Sequence, residues 1–294
     1  MRVVIAVGGN ALLRRKQAAT AQNQLDNVRV AARGLAAVAK QHELIVVHGN
    51  GPQVGLLAVQ SEAYTDVPAY PLDMLGAETD GLIGYLLEQE IGNVLGPEKT
   101  VATLLTRVEV EADDPAFDAP SKPIGPLYDA ERAVVLKRER GWVMARDGQS
   151  WRRVVPSPAA RELVDVKPIG WLLERGAVVV CGGGGGIPVV RNAEGQWHGV
   201  EAVIDKDDCA ALIAEREVRH GPTAGAETRA GGFAALHLRK QPLGIVLAAQ
   251  SAVTVGPHWQ EQRLRLGGTD FFGEPQLLQR GGFPEPCLSG TDGD

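Results

Sequence analysis

Three glycine-rich turns are the part of the chain best suited to chemistry, because each directly follows an apolar run. Residues 178–181 (VVVC) lead into five consecutive glycines, residues 182–186, and shorter glycine turns follow residues 2–7 and 43–48. Glycine lets a backbone approach a ligand closely, at a cost in conformational entropy. Backbone N–H groups presented in this way bind anions, above all where a helix begins. The pattern predicts a phosphate-binding site, and a tight turn without chemistry is the alternative at any single one of them.

Spacing excludes two common phosphate-binding loops. A Walker loop needs Gly-Lys followed by Ser or Thr, and the dipeptide Gly-Lys occurs nowhere in the chain. A dinucleotide fingerprint needs G-x-G-x-x-G, which neither GNGPQVG nor GGGGGIPV supplies cleanly. An oxidoreductase with a dinucleotide cofactor is therefore disfavoured.

Two lysines are candidates for contacting the bound anion. Lys206 stands in VIDKDD, where Asp205 is the predicted N-cap of a helix and Asp207 lies in its first turn. A cation at that end of a helix is unfavourable unless it serves an anion. Lys122, in SKPIGPLY, is stiffened by neighbouring prolines and could be presented like a finger. A solvated surface lysine is the alternative there, since VKPIG repeats the short motif at Lys167.

Other classes of site find little support. The net charge of −6 argues against nucleic acid or an anionic membrane as the main partner. Cys181, Cys209 and Cys287 lack metal-ligand spacing, so we expect no metal site built by the protein, no disulfide and a reducing, cytoplasmic location. His48, at the end of a strand, is expected to be a hydrogen-bonded structural histidine, and a catalytic histidine is the alternative. No apolar run approaches the ~20 residues that span a bilayer.

An α/β fold must hold these turns. Apolar residues at helical spacing predict helices near residues 21–40, 72–91, 162–175 and 206–217, which alternate with the apolar strands. This alternation predicts an open, mostly parallel sheet with helices on both faces. Such sheets bind ligands at the carboxyl ends of their strands, so the three glycine turns should share one edge.

Residues 109–160 interrupt the alternation. They contain GWVMARDGQSWRRVV, in which Asp147 and Gly148 separate two strand-like arms. Asp-Gly between such arms favours a hairpin, because both residues tolerate a positive φ. We expect a small protruding subdomain in this segment, and a second hairpin in PVVRNAEGQWHGVEAVI.

The ordered motifs of the chain resemble those of the carbamate kinases, within the amino acid kinase family. They are VVIAVGGNALL, VVHGNGPQVG, PLDMLGAETDGLIGY, SKPIGPLY, RRVVPSP, VVVCGGGGGIPVV and GVEAVIDKDDCAALIA, over roughly residues 1–217. Seven motifs in the family's order are far more specific than any one of them. The resemblance implies an open α/β/α sandwich over residues 1–217, with residues 109–160 as an inserted protruding subdomain, in a homodimer.

The resemblance also implies a reaction and the residues that carry it out. The reaction is reversible phosphoryl transfer between ATP and carbamate with Mg²⁺, which in arginine breakdown runs from carbamoyl phosphate and ADP to ATP. Lys122 would close over the site from the subdomain, Lys206 would neutralise charge on the phosphoryl oxygens, and Asp207 would orient the lysines. The residues expected to bind substrate and phosphate are Gly8, Gly9, Asn10, Gly49, Asn50, Gly51, Gly182, Gly183, Gly184 and Gly185.

Residues 218–294 depart from the family's pattern. The family continues with a TDVD-like motif and a GSMGPK stretch on the nucleotide side, and here only VGPHWQEQ echoes the second, with His258 in place of the lysine. We therefore expect an atypical C-terminal segment, arising by divergence or by a frameshift, in place of the family's nucleotide-binding part. Two alternatives to a working carbamate kinase stay open: a catalytically impaired relative that binds a ligand or dimerises, and a kinase for another small acid.

Overall fold

The computed structural model describes residues 2–14 and 17–219, together with the backbones of residues 247–249, 265–266 and 269–270. The chain divides into two compact units, Met1–Trp259 and Gln260–Asp294. The helices in the described residues are α1 (Gly9–Leu12), α2 (Ala21–Ala39), α3 (Gly51–Ala63), α4 (Leu72–Leu95), α5 (Ala130–Arg140), α6 (Val166–Glu174) and α7 (Lys206–Arg219), with 3₁₀ turns at Pro115–Phe117 and Gly183–Gly185. The strands there are β1 (Arg2–Val7), β2 (Glu43–His48), β3 (Val101–Thr103), β4 (Arg107–Glu109), β5 (Lys122–Tyr128), β6 (Val143–Asp147), β7 (Ser150–Val155), β8 (Glu162–Leu163), β9 (Val178–Val180), β10 (Ile187–Arg191), β11 (Trp197–Gly199), β12 (Leu247–Ala249), β13 (Arg265–Leu266) and β14 (Thr269–Asp270).

A five-stranded sheet, in the order β12-β1-β2-β9-β3, forms the centre of the first unit. Strands β1, β2, β9 and β3 run parallel to one another, and β12 pairs antiparallel with β1. Every residue of β1 and β9 is buried, so both faces of the sheet are covered. The valines and isoleucine of these strands suit such an interior. The predicted α/β fold with an open, mostly parallel sheet is confirmed.

Helices cover the two faces of this sheet. Residues of α6 and α7, such as Ile169 and Ile213, pack in one cluster with alternate strand residues, among them Val4 and Val179. Successive strand residues point to opposite faces. The strand residues that this cluster leaves out, such as Val46, therefore face the other layer, where α2 and α4 pack on each other and contact β2, β3 and β9.

Two smaller sheets accompany the central one. Strands β11-β10-β4-β8 form a mixed sheet, in which β8 pairs antiparallel with β4. The helix predicted from residue 162 therefore begins only at Val166. Within residues 109–160, β5, β7 and β6 form an antiparallel sheet beside α5. The hairpin predicted at Asp147 and Gly148 is confirmed, with Gly148 at φ +66°, and so is the second hairpin, formed by β10 and β11.

The antiparallel sheet of β5, β7 and β6 packs closely on α3 through two glycines. A Cβ at Gly55 would overlap the backbone of Gly125, and Gly125 itself has φ +74°. A larger residue at Gly55 would lift β5 from the helix, and one at Gly125 would strain the backbone. The close contact thus determines where Lys122, the first residue of β5, is held.

In the second unit, β13 and β14 pair antiparallel, with Leu266 opposite Thr269. Cys287 and His258 lie outside the described residues, whereas Cys181 and Cys209 are buried free thiols. Burial raises the pKa of Cys209 to about 12. Of the helices in the described part of the chain, none combines the length and the apolar character that crossing a bilayer requires.

Candidate functional site

The three glycine-rich turns lie at one edge of the central sheet. Val7 pairs with His48 in the parallel register of β1 and β2, and β9 pairs parallel with β2, so the three strands end side by side. The expected shared edge at the carboxyl ends of the strands is therefore confirmed. Gly8 precedes the short helix α1, which begins at Gly9. Asn10 is the second residue of α1, and its side chain lies outside the described part of the chain.

The first two turns touch each other and also touch Lys206. The Gly49 amide donates a hydrogen bond to the Val7 carbonyl at 2.9 Å. A Cβ at Gly49 would lie 3.0 Å from the amide nitrogen of Gly9 and 3.2 Å from Cδ of Lys206. A side chain at position 49 would therefore push against the first turn or displace the lysine.

Two helices longer than α1 begin at the same edge of the central sheet. Helix α3 has 13 residues and begins at Gly51, directly after Asn50. Helix α7 has 14 residues and begins at Lys206. The first N–H groups of a helix have no partner within it, and the helix dipole is positive at that end. Both features favour a negative charge at this edge of the sheet.

The two predicted lysines meet at the start of α7. Lys122 forms an ion pair with Asp205, and Nζ of Lys206 lies 2.5 Å from Oδ1 of Asp207. Asp205 also caps α7, because its Oδ1 accepts a hydrogen bond from the Asp207 amide at 2.8 Å. Burial by itself would raise the pKa of Asp205, but the Lys122 ammonium, the Asp207 amide and the Lys206 charge hold that pKa below its ordinary value.

The ion pair of Asp205 with Lys122 was not predicted from the sequence. We expected Asp205 only to cap a helix, and we expected Asp207 to orient both lysines. The structure pairs Asp207 with Lys206 and Asp205 with Lys122. The only signal in the sequence was the extra carboxylate in DKDD, because 83 residues separate Asp205 from Lys122. Lys167, in the repeated KPIG motif, is exposed on α6.

Each of the five consecutive glycines is packed against the protein itself. All five are buried, and all except Gly183 have a positive φ, between 62° and 101°. An added Cβ would meet Cys209 at Gly182, Asp80 and His48 at Gly183, Asn50 at Gly184, Ile204 at Gly185 and Val108 at Gly186. We expected the approach of a ligand to require these glycines. The structure shows that close packing and backbone conformation already require them.

The protein also uses several amides of this run. The amides already engaged are those of Gly182, which donates to Oγ1 of Thr106 at 2.9 Å, and of Gly185 and Gly186, which donate to carbonyls within the run at 3.0 Å and 2.9 Å. A ligand could therefore be held here only by the amides of Gly183 and Gly184.

A buried polar cluster, formed by His48, Asn50, Thr79 and Asp80, lies behind the glycine run. Nε2 of His48 is 3.3 Å from Oδ1 of Asp80, and both side chains are fully buried. Their relative orientation does not make a hydrogen bond, and neither side chain has one within the described residues. The burial of His48 agrees with the prediction of a structural histidine, but the hydrogen bond that was predicted for it is wrong. Asn50 donates through Nδ2 to Oγ1 of Thr79 at 2.8 Å.

Known proteins resemble the part of the chain that carries this site. The sequence model of the amino acid kinase family matches residues 1–217. Carbamate kinase from Haemophilus influenzae is 56% identical over 215 residues, which cover 73% of this chain and 69% of that protein. Carbamate kinase from Rhizobium meliloti is 57% identical over 216 residues, which cover 73% of this chain and 67% of that protein. Residues 218–294 lie beyond the family match.

Solved structures resemble the same part of the fold. Carbamate kinase from Giardia lamblia bound to citric acid has a TM-score of 0.69 and 36% identity, over 72% of this chain and 70% of that one. The Giardia lamblia enzyme bound to AMP-PNP has a TM-score of 0.65 and 36% identity, over 74% of this chain and 71% of that one. The family match includes all three glycine turns and both lysines of the site. The chain therefore belongs to the amino acid kinase family, and its relatives over the matched residues are carbamate kinases.

Proposed function

We propose that the chain is a carbamate kinase, which transfers a phosphoryl group reversibly between ATP and carbamate. The observation that carries the proposal is the meeting of Lys122 and Lys206 at the edge of the sheet where Gly9 and Gly49 touch. The activity named for relatives at 56% and 57% identity supports the same pair of substrates.

Phosphoryl transfer suits a site made of amides and lysines. In its loose transition state, negative charge is spread over three equatorial oxygens, so positioning and charge stabilisation matter more than a covalent nucleophile. The turns at Gly9 and Gly49 and the N-termini of α3 and α7 would hold these oxygens. Lys206 would neutralise their charge from the core, and Lys122 would do so from the subdomain.

The two aspartates would act as positioning residues for the lysines. Each carboxylate already pairs with one ammonium group, Asp205 with Lys122 and Asp207 with Lys206. A bound phosphoryl group would share each ammonium with its carboxylate. The lysines would then need little reorganisation during the reaction, which is the main requirement for electrostatic catalysis.

The kinase family implies ATP and ADP as substrates, and Mg²⁺ is part of the proposal. Magnesium ions usually bind phosphate oxygens together with one or two carboxylates. Within the described residues, no group of three or more His, Cys, Asp or Glu side chains could hold a metal by itself, so the ion would arrive with the nucleotide. Asp208, which is exposed in the first turn of α7, would be the candidate for a single carboxylate ligand. When bound, Mg²⁺ would neutralise phosphate charge.

We also propose a homodimer that forms through one side of α4. Met74, Leu82 and Tyr85 are 53%, 44% and 58% exposed, and their spacing places them on one side of the helix. An exposed apolar surface of this kind marks an interaction site. The proposed location is the cytoplasm, where ADP is available, and the proposed role is ATP formation from carbamoyl phosphate in arginine breakdown.

ATP formation from ADP and carbamoyl phosphate by the purified 294-residue chain tests the proposal. We expect Mg²⁺-dependent turnover that Lys122→Ala and Lys206→Ala each lower by roughly 100-fold or more. Lys167→Ala is the matched control, because it removes an exposed lysine from the same KPIG context, and it should change the rate less than about twofold. Equal losses in all three variants would contradict the assigned site.

A catalytically impaired relative is the second candidate, because residues 218–294 lie beyond the family match. Stabilisation of the chain against heating by ADP, without any ATP formation, would favour this candidate. Turnover with another small acid phosphate, but none with carbamoyl phosphate, would instead favour a kinase for a different acid.

A further inference from the structure

The pair of His48 and Asp80 has no part in the phosphoryl-transfer scheme above. Both side chains are 0% exposed, so neither can contact a substrate. Burying a carboxylate beside an imidazole costs more free energy than burying apolar side chains of the same volume. Asp80 also lies close enough to Cys209 for its charge to raise the pKa of that thiol, after the larger effect of burial. A polar pair that is costly to bury is therefore held in the interior, next to the buried Asn50 and Thr79.

The side chains of His48 and Asp80 pack directly against the glycine run. A Cβ at Gly183 would lie 2.5 Å from Cε1 and Nε2 of His48, and nearer still to Oδ1 of Asp80. The Cα hydrogen that occupies this direction in glycine points at the ring and the carboxylate, and Cα–H···O contacts are weakly favourable. Gly183 carries one of the two amides of the run that a ligand could use. The pair thus sets the position of a candidate anion donor.

The same turn of α4 also holds the second glycine turn. Thr79, next to Asp80, accepts a hydrogen bond from Nδ2 of Asn50 at 2.8 Å. The Asn50 amide in turn occupies the space that a Cβ at Gly184 would need. His48 ends β2, directly before that turn. Two neighbouring residues of one helix therefore contact both the second glycine turn and the glycine run.

We propose that His48 and Asp80 are positioning residues, which set the distance between the second glycine turn and the glycine run. The inference rests on the proposed carbamate kinase function, because its consequence is the geometry of the amides around the transferred phosphoryl group. Shifting such donors by about 1 Å costs on the order of 100-fold in rate. The effect belongs to the phosphoryl side of the site, so binding of ADP should be little affected.

The test compares Asp80→Asn with Glu90→Gln in the full chain. Glu90 is the matched control, because it is also a buried carboxylate of α4 and its Oε2 lies 3.3 Å from Nε of Arg29. It differs in position, since ten residues of helix place it about 15 Å from Asp80. Asp80→Asn should raise the KM for carbamoyl phosphate at least about fivefold and lower kcat/KM about 10-fold to 100-fold. The KM for ADP should change less than about twofold, and Glu90→Gln should leave all constants within about twofold. Thr79→Val, which replaces a hydroxyl by a methyl group and so removes the hydrogen bond from Asn50, is the second variant in case Asp80→Asn fails to fold. It should also raise the KM for carbamoyl phosphate.

A purely structural role predicts a different outcome. Partial unfolding would lower kcat and leave both KM values unchanged, and that result would overturn the inference. If the unaltered chain forms no ATP, the proposed function fails, and amide hydrogen exchange decides the positioning role separately. Asp80→Asn should then speed exchange at residues 49–51 and 182–186, whereas Glu90→Gln should not. Equal exchange rates in the two variants at these turns would overturn the positioning role of His48 and Asp80.

Discussion

Replacing Gly183 by alanine tests the packing on which the candidate site depends. Gly183 is the one residue of the run without a positive φ, so alanine would bring no backbone strain. Its Cβ would lie 2.5 Å from two atoms of His48 and nearer still to Asp80, whereas a C···O contact needs about 3.3 Å. Because both neighbours are fully buried, closely packed structure would have to move by about 1 Å.

The size of the effect follows from these contacts. Overpacking of a core costs about 1–3 kcal/mol. Forcing His48 and Asp80 apart weakens the attraction between these two buried polar groups, whose Nε2 and Oδ1 atoms are 3.3 Å apart, and adds about 1 kcal/mol. The lower entropy of the unfolded alanine chain offsets about 0.5–1 kcal/mol. We therefore expect Gly183→Ala to lower the free energy of unfolding by about 2 kcal/mol and the Tm by roughly 4–8 °C.

Unfolding of the full chain in urea and on heating, followed by circular dichroism, measures this change. Gly81→Ala is the matched control, because Gly81 lies inside α4 and an added Cβ there would meet nothing within 4 Å. Alanine favours a helix over glycine by about 1 kcal/mol, so the control should be as stable as the unaltered chain or more stable. A Gly183→Ala variant as stable as the control would refute the packing of the run against the buried pair.

Three further predictions concern other parts of the first unit. Asp205→Asn should keep the cap of α7, since Asn caps helices as well as Asp does. It should lower kcat, measured by steady-state kinetics, about 10-fold because Lys122 loses its charged partner, and an unchanged kcat would contradict this. Burial alone would raise the pKa of Asp165, but the hydrogen bonds and charge of Arg107 lower it overall, so this carboxylate stabilises the fold above its unfolded pKa of about 3.9. Its contribution to stability is lost as the pH falls through the lower folded pKa. The difference in free energy of unfolding between the unaltered chain and Asp165→Asn, measured in urea, should therefore shrink below about pH 4. A difference that stays constant with pH would contradict the ion pair. Tyr85→Glu should convert the proposed homodimer to monomer in light scattering after gel filtration, and an unchanged mass would place the interface elsewhere.

Helix caps, hairpins and the parallel direction of the main strands could be predicted from the sequence. Helix α2 begins after Thr20, whose Oγ1 accepts from the Asn23 amide at 3.2 Å, as its position before an apolar periodic segment indicated. Asp147 and Gly148 marked their hairpin for the same local reason. The common edge of the glycine turns followed from strand–helix alternation alone, because parallel strands point their carboxyl ends in one direction.

Contacts between distant segments could not be predicted. Helical spacing predicts a helix from residue 162, where the structure has strand β8; the pairing of β8 with β4 joins residues more than 50 positions apart, which local spacing does not reveal. The same reason hid the ion pair of Lys122 with Asp205 and the approach of His48 to Asp80. The packing of the five glycines against the protein also could not be predicted: a sequence shows that side chains are excluded, but it does not show which atoms exclude them.

The most direct test of the central claim is amide hydrogen exchange of the full chain with and without carbamoyl phosphate. We expect slower exchange, on ligand addition, at residues 8–10, 50–51 and 183–184 and at the start of α7, because the amides in these segments would surround one phosphoryl group. Protection confined to a different surface, with these four segments unchanged, would contradict a phosphoryl site at the glycine edge of the sheet.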